Sequence, residues 1–238
     1  MKFEIVFENE DFVAFNKPAG LLSVPDRFNL LLPNIFNEAN KTYGKLWMVH
    51  RLDKETSGII CFAKNENAHR HLSQLFQNRQ VAKFYLALVH GKPLQETGSI
   101  RNPIGENPSQ KGRMSVQKKG KPAHTDYRTL ETWKSYSLLK LQLYTGRTHQ
   151  IRVHSAFIGH PVVCDSFYGS GDVLLLSSFK KRFNLSEKDD EEKPLLNRLA
   201  LHATQLIFKD EKGMEINIEA PLPKDLRAVV NQLNKWNK

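Results

Sequence analysis

The chain of 238 residues has only two cysteines, Cys61 and Cys164, and no CxxC pair. A disulfide framework or a cysteine zinc site is therefore not expected, and both thiols read as buried or incidental. No apolar run approaches the roughly 20 residues that cross a bilayer. The opening residues, MKFEIVFENEDF, carry acids inside the apolar pattern, so no secretory signal is predicted and the chain reads as cytoplasmic, while nucleic acid and an anionic membrane surface both stay open as partners. There is no GxxxxGK followed by Ser or Thr, and no GxGxxG after a strand, so nucleotide hydrolysis and dinucleotide redox chemistry have no support. HExxH and GxSxG are missing as well. His149 and His154 stand five apart, on different faces of either a helix or a strand, and the set they form with His160, Cys164 and Asp165 predicts no metal.

Acidic residues are the scarcer charge. Thirty-five Lys and Arg against 25 Asp and Glu leave a formal charge of +10, which favours a polyanionic partner. An apolar fraction of 40% with 14 Phe argues for a folded protein. Short strands are predicted at 3–7 and 11–16, a helix at 67–78, and a strand through VAKFYLALVHG, where Phe84, Leu86 and Leu88 point one way and Tyr85 and Ala87 the other. Further strands are expected at 123–131 and 136–144, and a helix through HQIRVHSAFIG that ends at Gly159 and Pro161. A hairpin follows in QLIFKDEKGMEINIEAP, then a closing helix in PKDLRAVVNQLNKW. The segment 107–122, with Lys118 and Lys119, reads as a mobile basic loop, and 186–193 as an exposed polar connection. Strands outnumber helices and few βαβ units appear, so the fold class is α+β with a mainly antiparallel mixed sheet.

One connection carries more charge than a turn needs. HRLDKETSG, residues 50–58, lies between apolar runs ending at Val49 and beginning at Ile59. A carboxylate two residues from a guanidinium, as Asp53 is from Arg51, is favoured as its anion and can serve as nucleophile or general base. From spacing alone, a turn- or helix-capping aspartate with an ordinary surface ion pair is the commoner arrangement. Arg147 and Arg152 fall near a predicted helix start, and Tyr85 is either core or a platform for a base.

HRLDKETSG resembles the HRLDxxTSG signature of the RluA-type pseudouridine synthases. NKPAGLLSVP, KFYLALVHGKP, TGRTHQIRVHSAFIGHPVVCDSFYG and RLALHA resemble further stretches of that family in the same order, so the likeness runs from about residue 4 to about 222. Cys164 stands where the family has Gly in GDxxYG, and FKDEKG replaces a more apolar segment, which puts local turn geometry in question.

The resemblance implies an isomerase that converts uridine in structured RNA to pseudouridine, with no cofactor and no metal. Asp53 would be the catalytic carboxylate, Tyr85 would pack on the uracil, and Arg152 would pair with the aspartate. Arg51 would displace the target base, with Arg147, His149, Lys118 and Lys119 as further RNA contacts. The implied architecture is one catalytic domain over 1–238, two subdomains on one continuous sheet with a central cleft, without an N-terminal S4-like domain. GLLSVP and GKPAHTDY look most like the small subgroup acting on tRNA anticodon stem-loops and a large-subunit rRNA hairpin, and a monomer is expected. The competing readings are a non-catalytic RNA-binding module, a glycosidase that releases the base, and a basic membrane-associated protein; the lack of a long amphipathic basic helix disfavours the last, so RNA and no membrane is the expected partner.

Overall fold

A computed structural model describes residues 3–185 and 190–238. In chain order the strands and helices are β1 (Glu4–Glu8), β2 (Phe12–Lys17), α1 (Ile35–Tyr43), β3 (Trp47–Met48), β4 (Ser57–Ala63), α2 (Glu66–Gln77), β5 (Ala82–His90) and β6 (Thr97–Ile100). They continue with β7 (Ile104–Glu106), β8 (Met114–Val116), β9 (Thr125–Thr132), β10 (Tyr136–Leu143), α3 (Gln150–Phe157), β11 (Leu201–Lys209), β12 (Glu215–Glu219) and α4 (Lys224–Trp236). This is the α+β class with a mainly antiparallel sheet. The chain divides into two units, one formed by Met1–Tyr85 with His202–Pro221, the other by Leu86–Leu201 with Leu222–Lys238.

The first unit is organised around β4, whose seven residues SGIICFA are all buried. A strand covered on both faces needs an unbroken apolar run rather than alternation, and IICFA supplies it. Strands lie in the order β1-β2-β4-β11, with β3 also paired to β4 and β12 to β11. β2 runs antiparallel to β4, whereas β11 is parallel to it through His202↔Ser57 and Ala203↔Gly58. Because side chains alternate along a strand, Ile59 and Cys61 join α2 residues Ala68, Leu72 and Leu75 in one core cluster. Ile60 and Phe62 join α1 residues Ile35 and Ala39 in the other. Asn34 caps α1 by accepting from the Asn37 N–H, and Gly44, at positive φ, ends it.

In the second unit the order is β5-β10-β9-β6, and β7 pairs separately with β8. Trp133 is buried after β9, and its Nε1 donates to Asn234 Oδ1 of α4 at 2.9 Å.

The expected elements at 67–78, 123–131, 136–144 and 223–236 coincide with observed ones to within two residues. The mobile loop expected over 107–122 is corrected. Residues 114–116 form β8, registered on β7 from Ile104↔Val116 to Glu106↔Met114. Met114 and Val116 pack with Ile104 and Val153, so short apolar alternation inside the basic run outweighs its charge. Lys118 and Lys119 remain exposed in the turn that follows. α1 escapes sequence reasoning because its polar Asn, Lys and Thr residues leave few apolar positions to reveal a period, although the Asn cap and the terminal Gly were readable signals. Of the polar connection expected at 186–193, residues 186–189 lie outside the described residues; Glu192 accepts from the Ser177 backbone N–H at 2.9 Å.

Candidate active site

The 50–58 connection is held by hydrogen bonds at several positions along its length. His50 Nε2 accepts the Cys61 N–H at 3.0 Å while its ring stacks on Phe76, at 4.6 Å between centroids. Accepting a backbone N–H requires Nε2 to be unprotonated, and burial pushes the imidazole down to about 3. Ser23 Oγ receives the Leu52 N–H at 3.0 Å and donates to the Leu52 carbonyl at 2.7 Å. The Thr56 N–H closes a turn on the Asp53 carbonyl at 3.1 Å.

The Lys54 carbonyl accepts twice, from Gly20 N–H at 2.9 Å and from Lys17 Nζ at 3.0 Å. Lys17 is fully buried at the end of β2, and its ammonium also donates to the Pro18 and Leu21 carbonyls at 3.0 and 2.7 Å. A buried ammonium is tolerated only when its protons are satisfied. Here one cation ties the 17–21 bend to the 50–58 connection. After the loop, the buried Ser57 Oγ lies 3.0 Å from His202 Nδ1. Gly58 follows at φ +112°, and a Cβ there would come within 2.1 Å of the Ala203 carbonyl oxygen. The final Gly of HRLDKETSG is thus dictated by the close passage of β4 and β11.

With the backbone fixed, the side chains of Arg51 and Lys54 point to solvent and Asp53 is half-buried. Tyr85, in β5, packs against the cluster that contains Leu52, Ile60 and Phe62. Burial and then the nearby Asp53 carboxylate push its phenol well above the usual tyrosine range. Asp53 and Tyr85, 32 positions apart in sequence, are therefore within electrostatic reach in one unit.

The other residues singled out in the sequence belong to the second unit. Arg152 is buried in α3 and forms a bidentate pair with Asp165, Nε to Oδ2 at 2.8 Å and NH2 to Oδ1 at 2.7 Å. Burial opposes the Asp165 charge. The guanidinium, with the backbone N–H groups of Phe167 and Tyr168, more than offsets that and holds the carboxyl below its usual range. Sequence reasoning considered Asp165 only as a metal ligand; its buried pairing with Arg152 was legible only as one letter of DSFYG. Cys164 beside it has φ +59°, a conformation that favours glycine, which accounts for the Gly the family carries there.

His149, at φ +56°, starts α3, and its Nδ1 lies 2.8 Å from the Tyr168 hydroxyl. Arg147 Nε donates to the Pro122 carbonyl at 2.9 Å. Gln150, buried and overlooked in the sequence, orders this turn: Oε1 accepts from Thr145 Oγ1 and the Arg147 N–H, and Nε2 donates to the His124 carbonyl and to Thr125 Oγ1. His154 is a satisfied core histidine between Thr125 Oγ1 and the Asn102 carbonyl, both at 2.9 Å. Among the described residues no group of three or more His, Cys, Asp and Glu side chains could hold a metal ion. Cys61 is buried, its thiol pushed up to about 12.

Comparison with known proteins places the chain in a family. The family described as RNA pseudouridylate synthase matches residues 11–157, a span that includes Asp53, Tyr85 and Arg152. A ribosomal large subunit pseudouridine synthase D from Nitrosomonas europaea is 38% identical over 97% of this chain, which spans 65% of that relative's length. The uncharacterized RNA pseudouridine synthase YlyB of Bacillus subtilis is 34% identical over 99% of this chain and 74% of its own. Among solved structures, the human RNA pseudouridylate synthase domain containing 4 superposes with a TM-score of 0.72 at 27% identity, covering 97% of this chain and 93% of that one. A match over more than half of the chain, with the HRLDKETSG loop inside it, establishes that this protein belongs to the RNA pseudouridylate synthase family.

Proposed function

We propose that this protein isomerises specific uridines in structured RNA to pseudouridine, with Asp53 as the catalytic carboxylate. The observation that carries the reading is the pairing of a hydrogen-bonded loop with a half-buried carboxylate, Asp53, whose field reaches the Tyr85 phenol. A site that must hold reacting groups to within fractions of an ångström needs such support. The reaction breaks the bond between N1 and C1′, turns the uracil while it is held, and joins C5 to C1′; the C5 proton is lost and N1 gains one. Asp53 starts this either by attack on C1′ or by removing a sugar proton toward a glycal. Both routes are internally balanced and call for no cofactor.

Tyr85 is assigned to the face of the uracil, a packing role suited to a phenol that stays protonated. Arg51, exposed at the loop tip, is assigned to the space left when the uridine leaves its stack. Charge support during the reaction is the role that goes with Arg152. Arg147, His149, Lys118 and Lys119 are assigned to RNA contacts that grip without reading sequence. Large-subunit ribosomal RNA is the first substrate to test, because relatives such as the Nitrosomonas europaea protein are named for it; a tRNA anticodon stem-loop is the second. The protein is proposed to act as a cytoplasmic monomer, and among the described residues no helix is long and apolar enough to cross a membrane.

The test is pseudouridine mapping, by carbodiimide adducts and primer extension, in rRNA and tRNA from cells with and without this protein. A site lost on deletion should return with wild type and not with Asp53→Asn. On purified protein, Asp53→Asn should lower turnover at least about 10³-fold, the order expected when a nucleophile or base is removed, and leave RNA binding largely intact. Unchanged turnover would remove Asp53 from the reaction.

A further inference from the structure

A cavity of about 310 Å³ opens in the second unit between α3, the β7–β8 hairpin and the turn at 165–169. That is the small end of the roughly 300–1,000 Å³ typical of ligand pockets. Two of its walls are exposed aromatic rings, Phe157 at 53% and Phe167 at 41% accessibility. The rings are set in place. Asp165 Oδ1 accepts the Phe167 and Tyr168 N–H groups at 2.9 and 3.1 Å, and the Tyr168 hydroxyl receives the Met114 N–H at 2.9 Å. Arg113 lies 5.4 Å from the Phe167 centroid, its NH1 bonded to Gln110 Oε1 at 3.1 Å. None of the residues lining the cavity is acidic.

Scattered surface phenylalanines need no explanation. Two of them lining one small cavity, with the Arg113 and Arg152 guanidinium groups over the Phe167 ring at 5.4 and 5.1 Å and no carboxylate in the lining, leave Phe157 as the platform for a flat π-system attached to an anionic chain. We infer that this cavity is a second nucleobase pocket, which receives an unstacked base of the RNA other than the uridine that reacts. It deepens the RNA-modifying function proposed above and rests on it. An apolar side chain of a protein partner would fit the rings, but would leave Arg113 without an anion.

The test compares wild type, Phe157→Ala and Phe157→Tyr by fluorescence anisotropy with labelled octamers of riboadenosine and an abasic octamer of equal length. Phe157→Ala should weaken binding of the base-bearing octamer about five- to hundredfold, the range for loss of one stacked base. The abasic octamer should be bound equally by all three, and Phe157→Tyr should bind like wild type. Equal loss on both octamers, no loss on either, or no base-dependent binding by wild type overturns the inference. So does self-association of wild type that Phe157→Ala abolishes. Melting curves confirm that the surface substitution leaves the fold intact. Binding is read without turnover, so a failed isomerisation assay leaves this test standing, and a failed octamer test leaves the Asp53 assignment standing.

Discussion

His50 shows how one residue can support the site without taking part in the chemistry. It is neutral in the fold, with an imidazole pushed from an ordinary 6.5 down to about 3 by burial and by the Lys83 charge. The unfolded chain takes up that proton near pH 6.5 and the folded one does not. The stability from this group is therefore complete above about pH 6.5 and is lost progressively as the pH falls toward 3. His90 and His154, also lowered by burial, act in the same direction. Replacing His50 with Gln keeps an oxygen for the Cys61 N–H and removes the titration. Urea melts between pH 4 and 6 should then show a stability slope shallower by up to about 1.4 kcal/mol per pH unit; an unchanged slope would mean that His50 is protonated in the fold. Of the site residues, Asp53 and Tyr85 were the most legible, because each sits in a dense motif. Lys17, Ser23 and Gln150 were not, since a lysine before Pro18 or a serine between Gly20 and Pro25 reads as an ordinary surface residue until its carbonyl partners are known.

At the scale of elements, the parallel contact between β4 and β11 decides the geometry after the Asp53 turn. Gly58 has both a positive φ and no room for a Cβ against the Ala203 backbone. Gly58→Ala combines left-handed strain with a backbone overlap, so it should cost about 2–5 kcal/mol of stability and reduce activity with it. Chemical denaturation of the variant checks this, and a cost below 1 kcal/mol would show that β11 can move away. Strands with clean alternation, such as β5 and β10, and helices with a strong apolar face, such as α2 and α4, were readable because their periods are local properties. β8 was hidden by charge and α1 by polarity. In both, a few contacts made by the fold, Met114 and Val116 with Val153 or Ile35 in its cluster, outweigh composition.

For the whole molecule the formal charge of +10 is the relevant quantity. Lys118 and Lys119 stand exposed at the turn after β8, where they can meet phosphates without being held in a pair. Each phosphate contact contributes about 0.7–0.9 to the slope of log K against log salt. Neutralising both residues to Gln should lower that slope by about 1.5, weaken binding to all RNA sequences alike and leave turnover at saturation unchanged. A change in sequence preference with an unaltered slope would assign them to base contacts instead. Sequence by itself determined the fold class and the family and singled out Asp53 as the candidate carboxylate, since all three follow from local patterns and collinear motifs. Only the tertiary structure decided what holds the Asp53 loop, that Asp165 binds Arg152, and where the exposed rings of Phe157 and Phe167 gather. The contacts that hold the loop join residues far apart in the chain, 37 positions for Lys17 to Lys54 and 145 for Ser57 to His202, and no local period or spacing encodes such contacts.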